Sequence, residues 1–438
     1  MLLVMNRRQF AGAALAAAGA PSIVSASALG LNGATPPSDR IVMASIGIGG
    51  QGGGHLRAMV AQPDVRVAAI CDVRQENRER AKQVVDSRYQ DSACAEYADF
   101  RELLARKDID GVLIAVPDHW HVLIGMEAAR QGKDMYFEKP MGLSVEQGQA
   151  MRAAVRRHGV VFQFGTQQRS DARFRFACEL ARNGRLGQLQ TIILGAASFT
   201  QVPPQRTEPV PPGFDYEMWL GPAPWAPHCP LRCTRQFTLL YDYSLGCVGG
   251  AWGVHDTDIA QWAVDADHTG PVEIEGTAAF PKDGFYDTAP VWDVEQKYAN
   301  GVRLFNCDGA TAVRHAWQFR LISNRGVVFQ GSRGWIAVSR QTMETYPESL
   351  KTARYGAGDI RLPRSDDHRR DFFNAVRSRR DPISNIESAV RSDTVCQQAD
   401  IAMRLPRKLR WDPVAEQFIG DPQANRMLSR PMRSPWHL

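Results

Sequence analysis

Ile41-Val42-Met43-Ala44-Ser45-Ile46-Gly47-Ile48-Gly49-Gly50-Gln51-Gly52 is a short apolar run that ends in glycines spaced as G-x-G-x-x-G, and a helical pattern from His55 to Ala61 follows. Strand, glycine turn and helix in this order open a dinucleotide-binding unit. Gly47, Gly49 and Gly52 permit a tight turn, close approach of a pyrophosphate to backbone N–H groups, and close packing of helix on strand. Gly50 and Gln51 belong to the same turn and are expected at the cofactor. A second strand, Val65 to Cys71, ends in Asp72, twenty residues beyond Gly52, where a carboxylate accepts hydrogen bonds from the adenosine ribose. Asp72 would repel a 2′-phosphate, which favours NAD. Arg74, two residues on, is able to pair with such a phosphate, which keeps NADP open.

The alternation continues outward from this turn. A charged helix covers Arg74 to Asp86, a short one Phe100 to Leu104, and a third Val122 to Gln131, with strands at Gly111 to Val116 and Asp134 to Phe137. Ser144 and Gln147 have the spacing of a capping box ahead of a helix that runs to Gly159, and Val160 to Phe164 is a last strand. Such alternation implies a parallel sheet with right-handed crossovers. Beyond it the strands lengthen (190–197, 272–280, 294–298, 302–307, 326–330, 334–338) and helices become few, which predicts an open, mainly antiparallel sheet. Helices are expected at 366–378 and 386–405, the second capped by Asn385. The expected fold is thus α/β plus α+β, an N-terminal Rossmann domain and a C-terminal open sheet domain. Its segments are a signal peptide (1–28), a linker (29–40), the Rossmann domain (41–165), a substrate and sheet domain (166–362), and C-terminal helices with a tail (363–438).

With 438 residues, 44% hydrophobic and 23% charged, the chain has the composition of a globular protein of two domains. Its net charge of +5 is scattered, without a basic stripe or a reading motif, which argues against nucleic-acid binding. Asn6-Arg7-Arg8-Gln9-Phe10, a weakly apolar run to Ala20 and Ser25-Ala26-Ser27-Ala28 together read as a twin-arginine signal peptide. The run is too short to span a membrane. The expectation is a periplasmic protein that meets the Tat export machinery and keeps no stable membrane anchor; the alternative is an uncleaved basic tether. Among eight cysteines no CxxC pair occurs, and His228 alone does not complete a zinc site, so no metal is expected. Each cysteine is read as a core or loop residue, with a bridge between Cys229 and Cys233 left open.

The glycine turn, Cys71-Asp72-Val73, Ala115-Val116-Pro117-Asp118-His119-Trp120-His121 and above all Glu138-Lys139-Pro140 occur in one order. In this the chain resembles the glucose-fructose oxidoreductase/inositol dehydrogenase (Gfo/Idh/MocA) family over nearly all of its mature length. The resemblance implies that Glu138 contacts the nicotinamide-side ribose, that Lys139 reaches the substrate hydroxyl and that Pro140 sets the turn. It places Pro117 and Asp118, where the family often has Asn, along the nicotinamide. His121 matches a family histidine with either a helix-start or a catalytic role, and Gln167 and Arg169 fall where the family approaches cofactor and substrate. The family usually carries Asp-x-Gly-x-His on a helix facing the nicotinamide; here the segment is Gly250-Ala251-Trp252-Gly253-Val254-His255-Asp256-Thr257-Asp258. His255 and Asp258 are kept, and Ala251 replaces the carboxylate. A dimer through the open sheet face is also implied.

Lysine beside a cationic nicotinamide has its ammonium disfavoured and is able to exchange a proton with an alcohol. Histidine titrates near neutrality, which makes His255 the candidate base. Asp258, on the same helix face, is expected to position it. Asp242, Tyr241 and Tyr243 are candidates to stand in for the missing acid. Trp219 to Trp225 forms an aromatic, turn-rich loop that suits either sugar stacking or packing over the sheet edge.

The expected function is oxidation of a secondary hydroxyl of a sugar, glycoside or polyol, with Lys139 and His255 handling the proton. Export would require the cofactor to be tightly bound and reset in place. One alternative is a lyase, hydrolase or epimerase acting through a transient keto sugar. Another is a dinucleotide-loaded sugar-binding protein without catalysis.

Overall fold

The computed structural model describes residues 35–322 and 325–438; the leader read at 1–28 lies outside them. Six strands form the first sheet: β1 (Ile41–Ile46), β2 (Val65–Cys71), β3 (Ala95–Tyr97), β4 (Gly111–Ile114), β5 (Asp134–Phe137) and β6 (Phe162–Phe164). All pair in parallel in the order β3-β2-β1-β4-β5-β6. The order reverses direction between β1 and β4, and a crevice opens at the carboxyl ends of strands at such a point. Register brings those ends level: Ile46 pairs with both Cys71 and Ile114, and Ile114 with Phe137. The glycine turn, Asp72, Pro117 and Glu138 therefore leave the sheet along one edge.

Helices α1 (Gly50–Val60), α2 (Gln75–Tyr89), α3 (Phe100–Leu104), α4 (His121–Arg130) and α5 (Val145–His158) cover this sheet. Helix α1 starts at Gly50, five residues before its apolar face becomes readable, because its first turn is built of residues without a large side chain. Ser144 caps α5 as its sequence predicts, accepting from Gln147 N–H at 3.3 Å. The Gln147 side chain answers one residue further back, accepting from Leu143 N–H at 2.7 Å.

Nine strands make the second sheet: β7 (Leu189–Ala196), β8 (Glu273–Ala279), β9 (Val291–Lys297), β10 (Arg303–Asp308), β11 (Gly326–Gly331), β12 (Gly334–Val338), β13 (Met343–Tyr346), β14 (Leu409–Asp412) and β15 (Gln417–Phe418). Their order is β13-β12-β11-β7-β10-β9-β8-β14-β15, antiparallel except for the pair β7 and β10. Helix α6 (Ala172–Arg182) follows β6, α7 (Tyr216–Leu220) and α8 (Gly253–Ala263) lie between β7 and β8 in the chain, α9 (Gly309–His315) follows β10, α10 (His368–Ser378) and α11 (Ile386–Arg404) precede β14, and α12 (Pro422–Arg426) follows β15. Asp171 caps α6, accepting from Arg173 N–H, and α6 packs on α8.

The C-terminal segment is not a unit of its own. Phe372 and Phe373 of α10 join Met43 and Val67 in the core of the first domain, while β14 and β15 extend the second sheet. Helix α11 is buried nearly all round. Its first turns, Ile386 to Val390, pack with the first domain and its last, Ala399 to Met403, with the second. Buried on every side, although it carries many polar residues, this helix contacts both domains and fixes one against the other. All eight cysteines are free thiols, Cys229 and Cys233 included. Among the described residues no helix is long and apolar enough to cross a membrane.

Candidate active site

The crevice at the end of the first sheet continues into a cleft closed by the second domain. At its floor Gly47 has φ +81°, and a Cβ there would stand 2.5 Å from the Ala115 carbonyl oxygen; one on Gly52 would stand 1.9 Å from the Gly47 oxygen. Gly49 and Gly50 have nothing within 4 Å of a would-be Cβ. No side chain caps α1 at Gly49, so the N–H groups of its first turn are left for a ligand, an arrangement suited to an anion. Asp72 locks the turn: its carboxylate accepts from Ile48 N–H at 2.7 Å and from Arg74 N–H at 2.9 Å. Burial raises its pKa, and these bonds oppose the rise. The Arg74 guanidinium lies 3.7 Å over the Phe214 ring at the cleft wall.

Glu138, at the end of β5, is held by a relay the sequence did not announce. Arg369 Nε donates to His55 Nδ1 at 2.8 Å, which leaves the ring proton on Nε2, and that N–H donates to Glu138 Oε1 at 2.7 Å. Gln51 Nε2 donates to the same oxygen at 3.2 Å. Burial alone would raise the Glu138 carboxyl, but the His55 hydrogen bond and the Lys139 charge outweigh it and lower its pKa below the ordinary glutamate value. Glu138 is thus a fixed anion. His55 was legible only as part of an apolar helix face, and Arg369 lies 314 residues away in sequence.

Lys139 Nζ donates to the Gly250 carbonyl at 2.8 Å, tying the Rossmann edge to the loop before α8. Burial lowers its pKa, against the pull of Glu138 and Asp118. His255, on α8, lines the same cleft, and its Nδ1 is buried without a partner among the described residues. Burial, then the charges of Lys139 and Arg340, hold its basicity well below the ordinary histidine range. Asp118 accepts from Ser244 Oγ, and a Cβ on Gly250 would stand 2.5 Å from Asp118 Oδ2. A carboxyl group therefore does stand beside Gly250 and Ala251, supplied from the first domain. Burial raises it to about 7.

Several candidates lie elsewhere. Arg169, 2% exposed, makes two hydrogen bonds to Asp258 and two to Asp267, and Ser392 Oγ also donates to Asp258. Both residues sit behind α8 with their charges mutually spent, and neither lines the cleft. Asp258, only about 60° round α8 from His255, is bonded to Arg169 and Ser392 instead of lining the cleft. Asp242 is solvent-exposed and outside the cleft, and Tyr243 is buried behind Trp219, its hydroxyl accepting from Arg232. Neither stands in for the missing acid. In the aromatic loop Trp219 lines the cleft, whereas Trp225 is 64% exposed and does not. Arg340, Trp252 and Arg235, which the sequence had not singled out, do line it.

His121 donates from Nδ1 to the Pro140 carbonyl, holding the Lys139-Pro140 turn, and burial lowers its pKa to about 4. Its Nε2 and Gln167 Oε1 are buried cleft atoms without partners among the described residues. An uncapped helix start, a carboxylate at the end of β2 and these two orphaned atoms fit a nicotinamide dinucleotide laid along the crevice. Far from the cleft, Asp293, Cys307 and His315 bring ligand atoms within 4.8 Å of one another. There His315 Nε2 bonds Asp293 at 2.8 Å, and its ring stacks on Phe305.

Comparison with known proteins agrees with this geometry. The solved scyllo-inositol dehydrogenase of Lactobacillus casei, with bound NAD(H) and scyllo-inositol, shares the fold at a TM-score of 0.57 and 16% identity, over 85% of this chain and 99% of that one. The "Uncharacterized oxidoreductase YrbE" of Bacillus subtilis (strain 168) is 31% identical over 179 residues, 40% of this chain and 47% of the relative. A "Glycosyl hydrolase family 109 protein" of Saccharopolyspora erythraea is 35% identical over 105 residues, 23% of either chain. The chain thus spans less than half the length of these curated relatives. The family model "Oxidoreductase family, NAD-binding Rossmann fold" matches residues 41–166, which makes NAD the cofactor, and "Oxidoreductase family, C-terminal alpha/beta domain" matches residues 199–438. From the glycine turn to the C-terminal sheet, the chain belongs to the Gfo/Idh/MocA oxidoreductase family.

Proposed function

We propose that this protein oxidises a secondary hydroxyl of a sugar, glycoside or polyol held between Lys139 and His255. The observation that carries this reading is the His255 ring, which lines the cleft together with Lys139 and Glu138 and whose side chain makes no hydrogen bond to the described residues. Bound NAD supplies the two-electron acceptor. Glu138, pinned by His55 and Gln51, offers its second oxygen to a ribose hydroxyl. His255 is neutral beside the Lys139 charge, so it is free to accept the hydroxyl proton. Lys139, tethered to the Gly250 carbonyl, stabilises negative charge that grows on the substrate oxygen. His121 keeps that lysine in place through Pro140.

The twin-arginine leader supports export to the periplasm, and with it a cofactor loaded beforehand and retained. Denaturing the purified exported protein and weighing the released small molecules tests this. Stoichiometric NAD(H) is expected, and an empty protein that binds no dinucleotide would overturn the reading. A second outcome is favoured by the match to a glycosyl hydrolase family 109 protein. The same transient oxidation would acidify the neighbouring C–H and release a glycosidic group, with no net change in the cofactor. Product analysis separates the two, since keto sugar accumulates only in the first.

A further inference from the structure

We propose that the sugar received in this cleft carries a carboxylate on its ring, as in a uronic acid or its glycoside, and that Arg340 binds that group. The inference rests on the sugar-oxidising reading above and names its substrate class.

Arg340 sits in the hairpin turn between β12 and β13 and reaches the wall of the cleft beside His255. Its Nε donates to Gln168 Oε1 at 3.3 Å, while its Nη2 is buried with no partner among the described residues. The guanidinium carbon lies 4.4 Å over the Trp252 ring, and that of Arg325 lies 4.6 Å from the same ring. The acids that face Arg340 are engaged elsewhere. Asp256 gives one oxygen to Gln168 Nε2 at 2.9 Å and the other to Trp252 Nε1 at 2.7 Å. Glu138 has one oxygen, Oε1, taken up by His55 and Gln51, and its other oxygen is left for the cofactor ribose.

Positive charge accumulates at this end of the cleft. Lys139 and Arg235 line it together with Arg340, three cations against the carboxyls of Glu138 and Asp118, and Asp118 is drawn toward its neutral form by burial. Burial works against the Arg340 charge, and Arg325 adds to that penalty. Arg340 is half-buried, and a guanidinium nitrogen enclosed without a partner is costly unless an anion completes it. Two parallel N–H groups match the two oxygens of a carboxylate. The cofactor phosphates cannot be that anion, because the glycine turn that receives them lies at the other end of the cleft. Arg340 stands beside the proton acceptor His255, so the acid has to belong to the ring being oxidised.

The test is calorimetric titration of the NAD-loaded protein with methyl glucuronide and methyl galacturonide against their neutral glycosides. One uronide is expected to bind about 10- to 100-fold more tightly than its neutral counterpart, the range of a charge-assisted hydrogen bond. R340Q should erase that preference while keeping its NAD, and R340K should restore only part of it, lacking the fork. A glycoside 6-sulfate bound more tightly than either uronide would overturn the carboxylate assignment. Equal or weaker binding of the uronides, or an undiminished preference in R340Q, would overturn the proposal as a whole. Turnover of neutral sugars with NAD in place would then leave the oxidoreductase reading standing. A preparation without NAD that binds no sugar would end both.

Discussion

The two sides of helix α8 are furnished in opposite ways. Behind it, Arg169 meets Asp258 and Asp267 through four hydrogen bonds and Ser392 completes the set. Of the residues that line the cleft, His255 and Arg340 each have an enclosed nitrogen, Nδ1 and Nη2, with no partner among the described residues. Buried polar groups are nearly always hydrogen-bonded, and the exceptions call for a reason. Paired charges hold the fold, and the unpaired ones await a ligand. Substitutions on the two sides should therefore fail in different ways.

The largest effect is expected on the cleft side. Lys139 makes a single hydrogen bond, to the Gly250 carbonyl, so Lys139→Met should keep its melting temperature and its NAD. It should lose about 10²- to 10⁴-fold in single-turnover reduction of the bound cofactor, the usual worth of a positioned proton-handling group. A melting temperature that falls with the rate would place Lys139 with the structural groups instead.

Next comes the paired side. Arg169→Met strands Asp258 and Asp267, and breaking such a buried pair costs about 3–5 kcal/mol. Denaturant titration should show that loss, while the folded fraction turns over sugar at an undiminished rate. A selective loss of rate would return Arg169 to the cleft.

A smaller effect separates the sides by pH. His368 uses both ring nitrogens, Nδ1 with Ser170 Oγ and Nε2 with the Phe164 carbonyl, and burial lowers its pKa from 6.5 to about 4. Between those values the unfolded chain takes up a proton that the folded protein refuses, so this contribution is complete above pH 6.5 and fades as the pH falls toward 4. By pH 5 about 2 kcal/mol of it has been lost. The stability gap between the wild type and His368→Gln should narrow by that amount from pH 7 to pH 5, and a constant gap would refute the assignment. The smallest effect is expected from Gly49→Ala, whose Cβ meets no protein atom within 4 Å. Its stability should hold while NAD binds about tenfold more weakly, which corresponds to about 1.4 kcal/mol; unchanged binding would move the pyrophosphate away from this turn.

The same contrast explains how much of the site was legible in the sequence. The glycine turn, Asp72 and Glu138-Lys139-Pro140 lie at strand ends, where local pattern and backbone register decide position, and the structure places them along one edge. His255 was legible because its segment retains a recognisable spacing. The expectation fails at Arg169, Asp258 and Asp242, where side-chain direction and tertiary partners decide: Asp258 shares a helix face with His255, yet Arg169 and Ser392 hold its carboxylate away from the cleft. His55, Arg369 and Arg340 left no local signal at all. His55 hides in an apolar helix face, Arg369 acts from α10 on a residue 314 positions away, and Arg340 is one of many arginines in a hairpin turn. The fold was read more fully than the site, because periodicity reports strands and helices and does not report which ends meet. Even so, α6 and the short strands β13 to β15 escaped, being too brief or too polar to stand out.

The most direct measurement of what this cleft does is to follow a deuterium from sugar to cofactor. A glycoside labelled on its ring carbinol carbons is given to the NAD-loaded protein for one turnover, the protein is denatured, and the released dinucleotide is weighed. Deuterium in the nicotinamide of the wild type, and none in Lys139→Met, is the expected result. Conversion of the sugar with an unlabelled dinucleotide and with no ring deuterium lost to solvent would contradict oxidation between Lys139 and His255.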